Sequence, residues 1–234
     1  MKIPILMYHS IEENHNELSI SLKKFDEQMK FMKKNNFETI SFENLDYKND
    51  KKKFIITFDD GYENVFYNAL PILKKYNYNA VCFIVTNYIG KYNVWDEGKN
   101  NFLKQSLMNI NQIKEWLKNG MSIGSHTMSH ANLKNLKLID KEKEISESWK
   151  HLSKLFETNI DYFSYPYGSY DYDAENLAQE NYKYSVTTDR SRYVENKFSN
   201  SSLPRIPINK KDGMFKFFIK INTFYEDIKF KRKI

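Results

Sequence analysis

Phe54-Ile55-Ile56-Thr57-Phe58-Asp59-Asp60-Gly61 is an apolar run that stops abruptly on two carboxylates and a glycine. Its aromatic and β-branched residues read as a buried strand, and Gly61 permits a sharp turn out of it. Two adjacent carboxylates at a strand end are costly unless something compensates their charge. A metal does so, leaving one Asp as ligand and the other free to act as a base. For these residues taken alone, an ordinary acidic turn is the alternative.

Working outward, comparable short runs recur at Ile3 to Tyr8, Ala80 to Val85, Met121 to Gly124, Tyr162 to Ser164, Tyr184 to Thr187 and Leu203 to Ile208. Amphipathic stretches lie between them. Ser21 is placed to cap a helix carrying Leu22, Phe25, Met29 and Met32 on one face. Leu70, Leu73 and Lys74 belong to a second helix, and Ile145, Trp149, Leu152 and Phe156 mark a third. Alternation of this kind is the pattern of an α/β fold with a largely parallel sheet, and periodicity leaves open whether the sheet is a barrel or open. No repeat, low-complexity block or linker divides the chain, so one domain over residues 1–208 with a tail at 209–234 is expected.

The 234 residues, 41% of them hydrophobic, suffice for one full core, and 17 Phe, 17 Tyr and 3 Trp make that core or a ligand groove rich in rings. A lone cysteine, Cys82, excludes an intrachain disulfide and a cysteine-held zinc, so a metal here must use His and carboxylate. The net charge of +6 is uneven: residues 209–234 hold 8 Lys or Arg against 3 Asp or Glu, the rest 28 against 27. With a near-neutral domain and no recognised binding module, nucleic acid is not an expected partner. No stretch approaches the ~20 apolar residues of a membrane span, and no signal-peptide pattern opens the chain, so a cytoplasmic location is expected.

A second chemical segment is Gly124-Ser125-His126-Thr127-Met128-Ser129-His130. Histidines at i and i+4 would share one face of a helical turn and one metal, although such a pair in isolation is often two unrelated exposed side chains. With Asp60, His126 and His130 make two His and one Asp, a set that leaves positions open for water and substrate. Phe163-Ser164-Tyr165-Pro166-Tyr167-Gly168 is a turn able to present a backbone N–H to an oxyanion, or simply a turn. Met7-Tyr8-His9 ends a strand on a histidine, more often a rim residue than a catalyst. His15 and His151 have no supporting context.

Thr57 to Gly61, Ser125 to His130 and Tyr165 to Gly168 resemble, in order, the first three motifs of the polysaccharide deacetylases (carbohydrate esterase family 4, the nodulation-protein-B homology domain). The resemblance covers roughly residues 1–208. It implies a distorted (β/α) barrel of about seven strands, a divalent metal that is usually zinc, and acetylated sugar substrates. Carried over, Asp60, His126 and His130 match the metal ligands, Asp59 the general base and Tyr167 the backbone oxyanion donor. The opening Met7 to His9 is similar to the poly-N-acetylglucosamine deacetylase branch, where an N-terminal histidine is proposed as the acid; this assigns His9. Three departures stand out. Ser164 replaces the Arg that usually begins the third motif, Ser185 to Asp189 lacks an Asp-Trp pairing, and Leu203 to Ile208 carries no catalytic His. Arg205 is then the candidate charge partner of Asp59.

The expected activity is removal of an N-acetyl group from an amino sugar in a glycan or glycan precursor, free, lipid-linked or nucleotide-linked. An O-acetyl sugar esterase and an inactive glycan-binding member are the alternatives. Two His and one Asp accept Zn2+ but also Co2+, Ni2+ or Fe2+. In the tail, Met214, Phe217, Phe218, Ile221, Phe224, Tyr225 and Ile228 make one stripe. It would either dock on the barrel or lie on an anionic membrane as a peripheral contact.

Overall fold

The computed structural model describes residues 2–45 and 51–230; residues 1, 46–50 and 231–234, the last of these ending the tail, lie outside the described residues. In chain order the elements are β1 (Lys2–Ile3), β2 (Ile5–Tyr8), α1 (Leu22–Lys34), β3 (Phe37–Thr39), β4 (Lys52–Phe58), α2 (Leu70–Tyr76), β5 (Val81–Ile84), α3 (Ile110–Lys118) and β6 (Ser122–Ser125). There follow α4 (Leu138–Glu142), α5 (Ser148–Phe156), β7 (Tyr162–Ser164), α6 (Tyr172–Asn181), β8 (Tyr184–Arg190), β9 (Tyr193–Val194), β10 (Leu203–Pro207) and α7 (Met214–Asn222). Strands run parallel in the order β2-β10-β8-β7-β6-β5-β4, and β4 pairs back onto β2. Seven strands therefore close a barrel, with β3 added outside on β4.

Closure explains why the strands read as near-continuous apolar runs: both faces are buried. Ile5, Ile55, Val81, Phe83, Val186 and Leu203 fill the lumen, while their neighbours Leu6, Ile56, Cys82 and Ile84 pack outward under the helices. The period of two carries on to the strand ends. Counting from Ile5, Ile55 and Leu203, it turns His9, Thr57, Asp59 and Arg205 inward. Counting from Tyr162 and Gly124, it turns Ser164 and His126 inward. Gly124 is glycine because a Cβ there would sit 2.6 Å from the Phe83 ring.

Three expectations need correction. The run Ile3 to Tyr8 is two strands, because Pro4 has no N–H for the ladder; β1 pairs antiparallel with β9 and only β2 enters the barrel. Ser21 does cap α1, accepting from Lys24 N, but Leu22 is exposed and the buried face is Phe25, Gln28, Met29 and Met32. The tail stripe is split: Phe217 and Ile221 are buried against the domain, while Phe218, Phe224 and Ile228 are exposed. Within α7 the backbone turns Phe217 and Phe218 to different sides, and Phe224 and Ile228 lie beyond the end of the helix. No described helix is long and apolar enough to cross a membrane.

Candidate active site

The carboxyl ends of β2, β4, β6 and β7 open into a cleft of about 850 Å³. Asp59 continues the ladder, donating from its N–H to Tyr8 O at 2.9 Å, and so keeps the inward direction. Asp60 and Gly61 then adopt positive φ, 73° and 76°. The two left-handed residues turn the chain sharply, so adjacent carboxylates reach different surroundings.

His126 N donates to Ile84 O at 2.9 Å, which holds it at the end of β6. The pair His126/His130 does not lie on a helical turn. Thr127 and His130 have φ of 68° and 62°, and the loop is held by side chains: Thr127 N to Ser125 Oγ, His130 N to Thr127 Oγ1, and Ser129 N and Oγ to the Glu144 carboxylate. Short Ser and Thr side chains offered the backbone partners that a helix would otherwise have supplied.

One oxygen of Asp60 collects both imidazoles, with Oδ1 at 3.4 Å from His126 Nε2 and 3.3 Å from His130 Nε2. All three side chains are buried, and their ligand atoms lie within 4.8 Å of one another. His126 Nδ1 is 2.7 Å from Ser164 O, which only accepts, so the ring proton sits on Nδ1 and Nε2 offers a lone pair. Nδ1 of His130 is 3.0 Å from Tyr167 Oη. Asp60 Oδ1 has no hydrogen-bond partner. A buried carboxylate oxygen flanked by the Nε2 atoms of two histidines is a donor set that fits a divalent cation, with the outer nitrogens anchored as metal-bound histidines require.

Asp59 has the opposite surroundings. Arg205, with no solvent exposure, reaches it bidentately: Nη1 to Oδ1 at 2.6 Å and Nη2 to Oδ2 at 2.7 Å. The guanidinium also donates to Thr57 Oγ1 (3.1 Å), Ser164 Oγ (3.0 Å) and Thr187 O (2.9 Å). All five of its N–H groups are thereby used. Burial pushes the Asp59 carboxyl up, but the charge and hydrogen bonds of Arg205, helped by His126 and His9, hold it below the usual range. Ser164 thus serves twice, its carbonyl orienting His126 and its hydroxyl accepting from Arg205.

His9 Nε2 stands 3.9 Å from Asp59 Oδ2, and the side chain lines the cleft. Tyr167 sits at φ 60° in the turn Pro166–Gly168. The turn's own bonds use the N–H groups of Gly168 and Ser169, leaving that of Tyr167 outside them. Gly168 is required because a Cβ would run into Thr188. All seven residues singled out in the sequence, His9, Asp59, Asp60, His126, His130, Tyr167 and Arg205, therefore meet at one barrel mouth.

The structure adds residues that sequence reading missed. Trp95 stacks on His130, centroids 4.7 Å apart at 20°, and Lys99 donates to Tyr167 Oη at 3.4 Å. Both lie on the irregular segment 89–107, which has no period to signal it. His15, given no role, also lines the cleft, with Glu17 and Leu18.

Comparison with known proteins agrees with this geometry. The polysaccharide deacetylase family profile matches residues 46–185. YxkH of Bacillus subtilis (strain 168), a polysaccharide deacetylase by assignment, is 33% identical over 80% of this chain; the chain spans 65% of that relative's length. Poly-beta-1,6-N-acetyl-D-glucosamine N-deacetylase of Staphylococcus aureus (strain MRSA252) is 28% identical over 92% of this chain and 76% of its own. Among solved structures, the Streptococcus pyogenes deacetylase PplD in complex with acetate superposes with a TM-score of 0.82 at 28% identity, covering 95% of this chain and 99% of that one. With its seven-stranded barrel, its motif order and these relatives, the chain belongs to the polysaccharide deacetylase family.

Proposed function

We propose that this chain is a metal-dependent hydrolase that removes the N-acetyl group of an amino sugar in a glycan or glycan precursor, releasing acetate. The observation that carries the reading is the division of labour between adjacent carboxylates: Asp59 is held by Arg205, while Asp60 faces the Nε2 atoms of His126 and His130.

Asp60, His126 and His130 would hold the ion, zinc being the default for two His and one Asp and Co2+, Ni2+ or Fe2+ also fitting. A bound divalent cation supplies Lewis acidity, polarising a carbonyl and easing deprotonation of water. Asp59, ionised at neutral pH and oriented by two hydrogen bonds, accepts the proton of the attacking water. Arg205 gives up no proton and positions that base. The Tyr167 N–H donates to the oxyanion, and His9 delivers a proton to the leaving amine. Water and amide are thereby converted to acetate and a free amino sugar.

The Staphylococcus aureus relative's name supports an N-acetylated sugar, with lipid-linked and nucleotide-linked forms as further substrates to try. Acetate release from N-acetylated and O-acetylated saccharides, before and after chelation and metal restoration, tests the reading. Metal-restored release from N-acetyl sugars is expected. Release from esters alone would make the chain an O-acetyl esterase, and none at all would leave an inactive glycan binder.

A further inference from the structure

α7 is apolar on two sides. Its inner side, Phe217 and Ile221, packs against the domain. On its outer side Phe215, Phe218 and Ile219 fall at i, i+3 and i+4, one continuous stripe, with Phe215 79% and Phe218 44% exposed, Phe218 also meeting the Phe31 ring edge-on at 6.1 Å. An apolar helix in a soluble domain is ordinarily covered. Two exposed phenylalanines three residues apart on one short helix therefore mark a contact surface.

Charge selects what covers it. Lys211 and Lys216, paired with Glu17 and Asp212 yet 77% and 45% exposed, border the stripe, and the sequence continues past it through Lys229 to Lys231-Arg232-Lys233. Residues 209–234 carry +5 of the chain's +6. A second copy docked through the same face would bring two such tails together, like against like. An anionic surface that also accepts phenyl rings matches both properties, and the interface of an anionic lipid bilayer is such a surface.

The position of the stripe links it to the cleft. Lys210 N donates to Glu17 O at 2.9 Å, Lys24 Nζ donates to Lys210 O at 2.6 Å, and Lys211 pairs with Glu17 at 2.9 Å. Glu17 and Leu18 are cleft wall. The root of α7 is thus fastened to one side of the cleft.

We propose that the outer face of α7 rests on an anionic lipid surface through Phe215 and Phe218, setting the cleft mouth beside the membrane. The consequence for substrate, an amino sugar presented close to a bilayer, rests on the deacetylase reading above; the docking itself does not.

The test is co-sedimentation of the full chain with vesicles of phosphatidylglycerol and phosphatidylcholine, and with phosphatidylcholine alone. Binding to the anionic vesicles only is expected. Phe215→Ser with Phe218→Ser should lower that partition by at least about tenfold, with hydrolysis of a soluble substrate unchanged, and Phe215→Ser alone, which keeps the Phe218–Phe31 contact, should lower it in the same direction. Unchanged partition in the double variant would overturn the proposal, as would absence of binding to anionic vesicles. Equal retention on a soluble polyphosphate that depends on the same two rings would overturn the lipid in favour of an anionic polymer. Vesicle partition is read without any turnover, so its failure and the failure of the deacetylase reading are separable.

Discussion

Charge is buried in two places in this molecule, and the two are balanced differently. Beside α7, Asp212 and Glu226 have no solvent exposure, and each has its cations close by. Lys220 and Lys216 reach Asp212 at 2.5 and 2.8 Å, and Arg190 reaches Glu226 at 2.6 Å. At the barrel mouth the guanidinium of Arg205 bonds to Asp59, Thr57, Ser164 and Thr187 and not to Asp60. Asp60 is left facing the Nε2 atoms of His126 and His130. The α7 cluster is closed on itself, and the mouth is short of positive charge. Buried ions that only hold a fold need internal neutralisation, whereas a cation site keeps its deficit for the ligand.

The contrast is breakable by substitution, beginning where the effect should be largest. His126→Ala removes one of three ligands. Metal content after dialysis should fall with it, and acetate release should drop about a thousandfold or more, with little change in the fold. Arg205→Met strips the buried partner from Asp59 and should cost about 3–5 kcal/mol of unfolding free energy, read from denaturant titration. Lys220→Met opens the α7 cluster, but Lys216 still faces Asp212, so about 1–3 kcal/mol is expected, with turnover of a soluble substrate unchanged. Equal losses of activity from Arg205→Met and Lys220→Met would erase the distinction.

The α7 region also predicts an acid limit. Burial pushes Asp212 and Asp227 up, and their cations, Lys216 and Lys220 for the first, Arg192 and Lys2 for the second, hold both below the usual carboxylate range. Carboxyls depressed in the folded state contribute stability above their unfolded pKa, about 3.9. That contribution is lost as pH falls through the lower folded values. Thermal melts should accordingly decline below about pH 4, with proteolysis starting in residues 209–230. Lys99→Met should be the mildest change, within about 0.5 kcal/mol, because Lys99 and Tyr167 are exposed and Asp96 is partly so.

Much of this was legible in the sequence because barrel strands are buried on both faces, and period-two alternation carries into the residues just beyond them. Asp59 after Phe58, and Arg205 two after Leu203, could be placed without coordinates. The elements that were missed have physical reasons. β3 is three residues long and exists through its pairing with β4. α6 buries only Ala174, Glu175 and Ala178 fully and packs Leu177 partly against the core, so no large apolar stripe announces it. α3 did leave a signal, the capping box of Asn109 and Gln112, that could have found it. The helical reading of His126 and His130 failed because spacing alone does not distinguish a helix from a left-handed turn held by Ser125 and Thr127. Trp95 and Lys99 lie in an irregular segment whose course is set by tertiary contacts.

The central claim, that adjacent carboxylates divide base and ligand roles, is tested most directly by measuring metal content and acetate release on the same preparations of Asp59→Asn and Asp60→Asn. Asp59→Asn is expected to retain its metal while release falls by at least about a hundredfold, and Asp60→Asn to lose both. Full release by Asp59→Asn, or metal retained undiminished by Asp60→Asn, would contradict it.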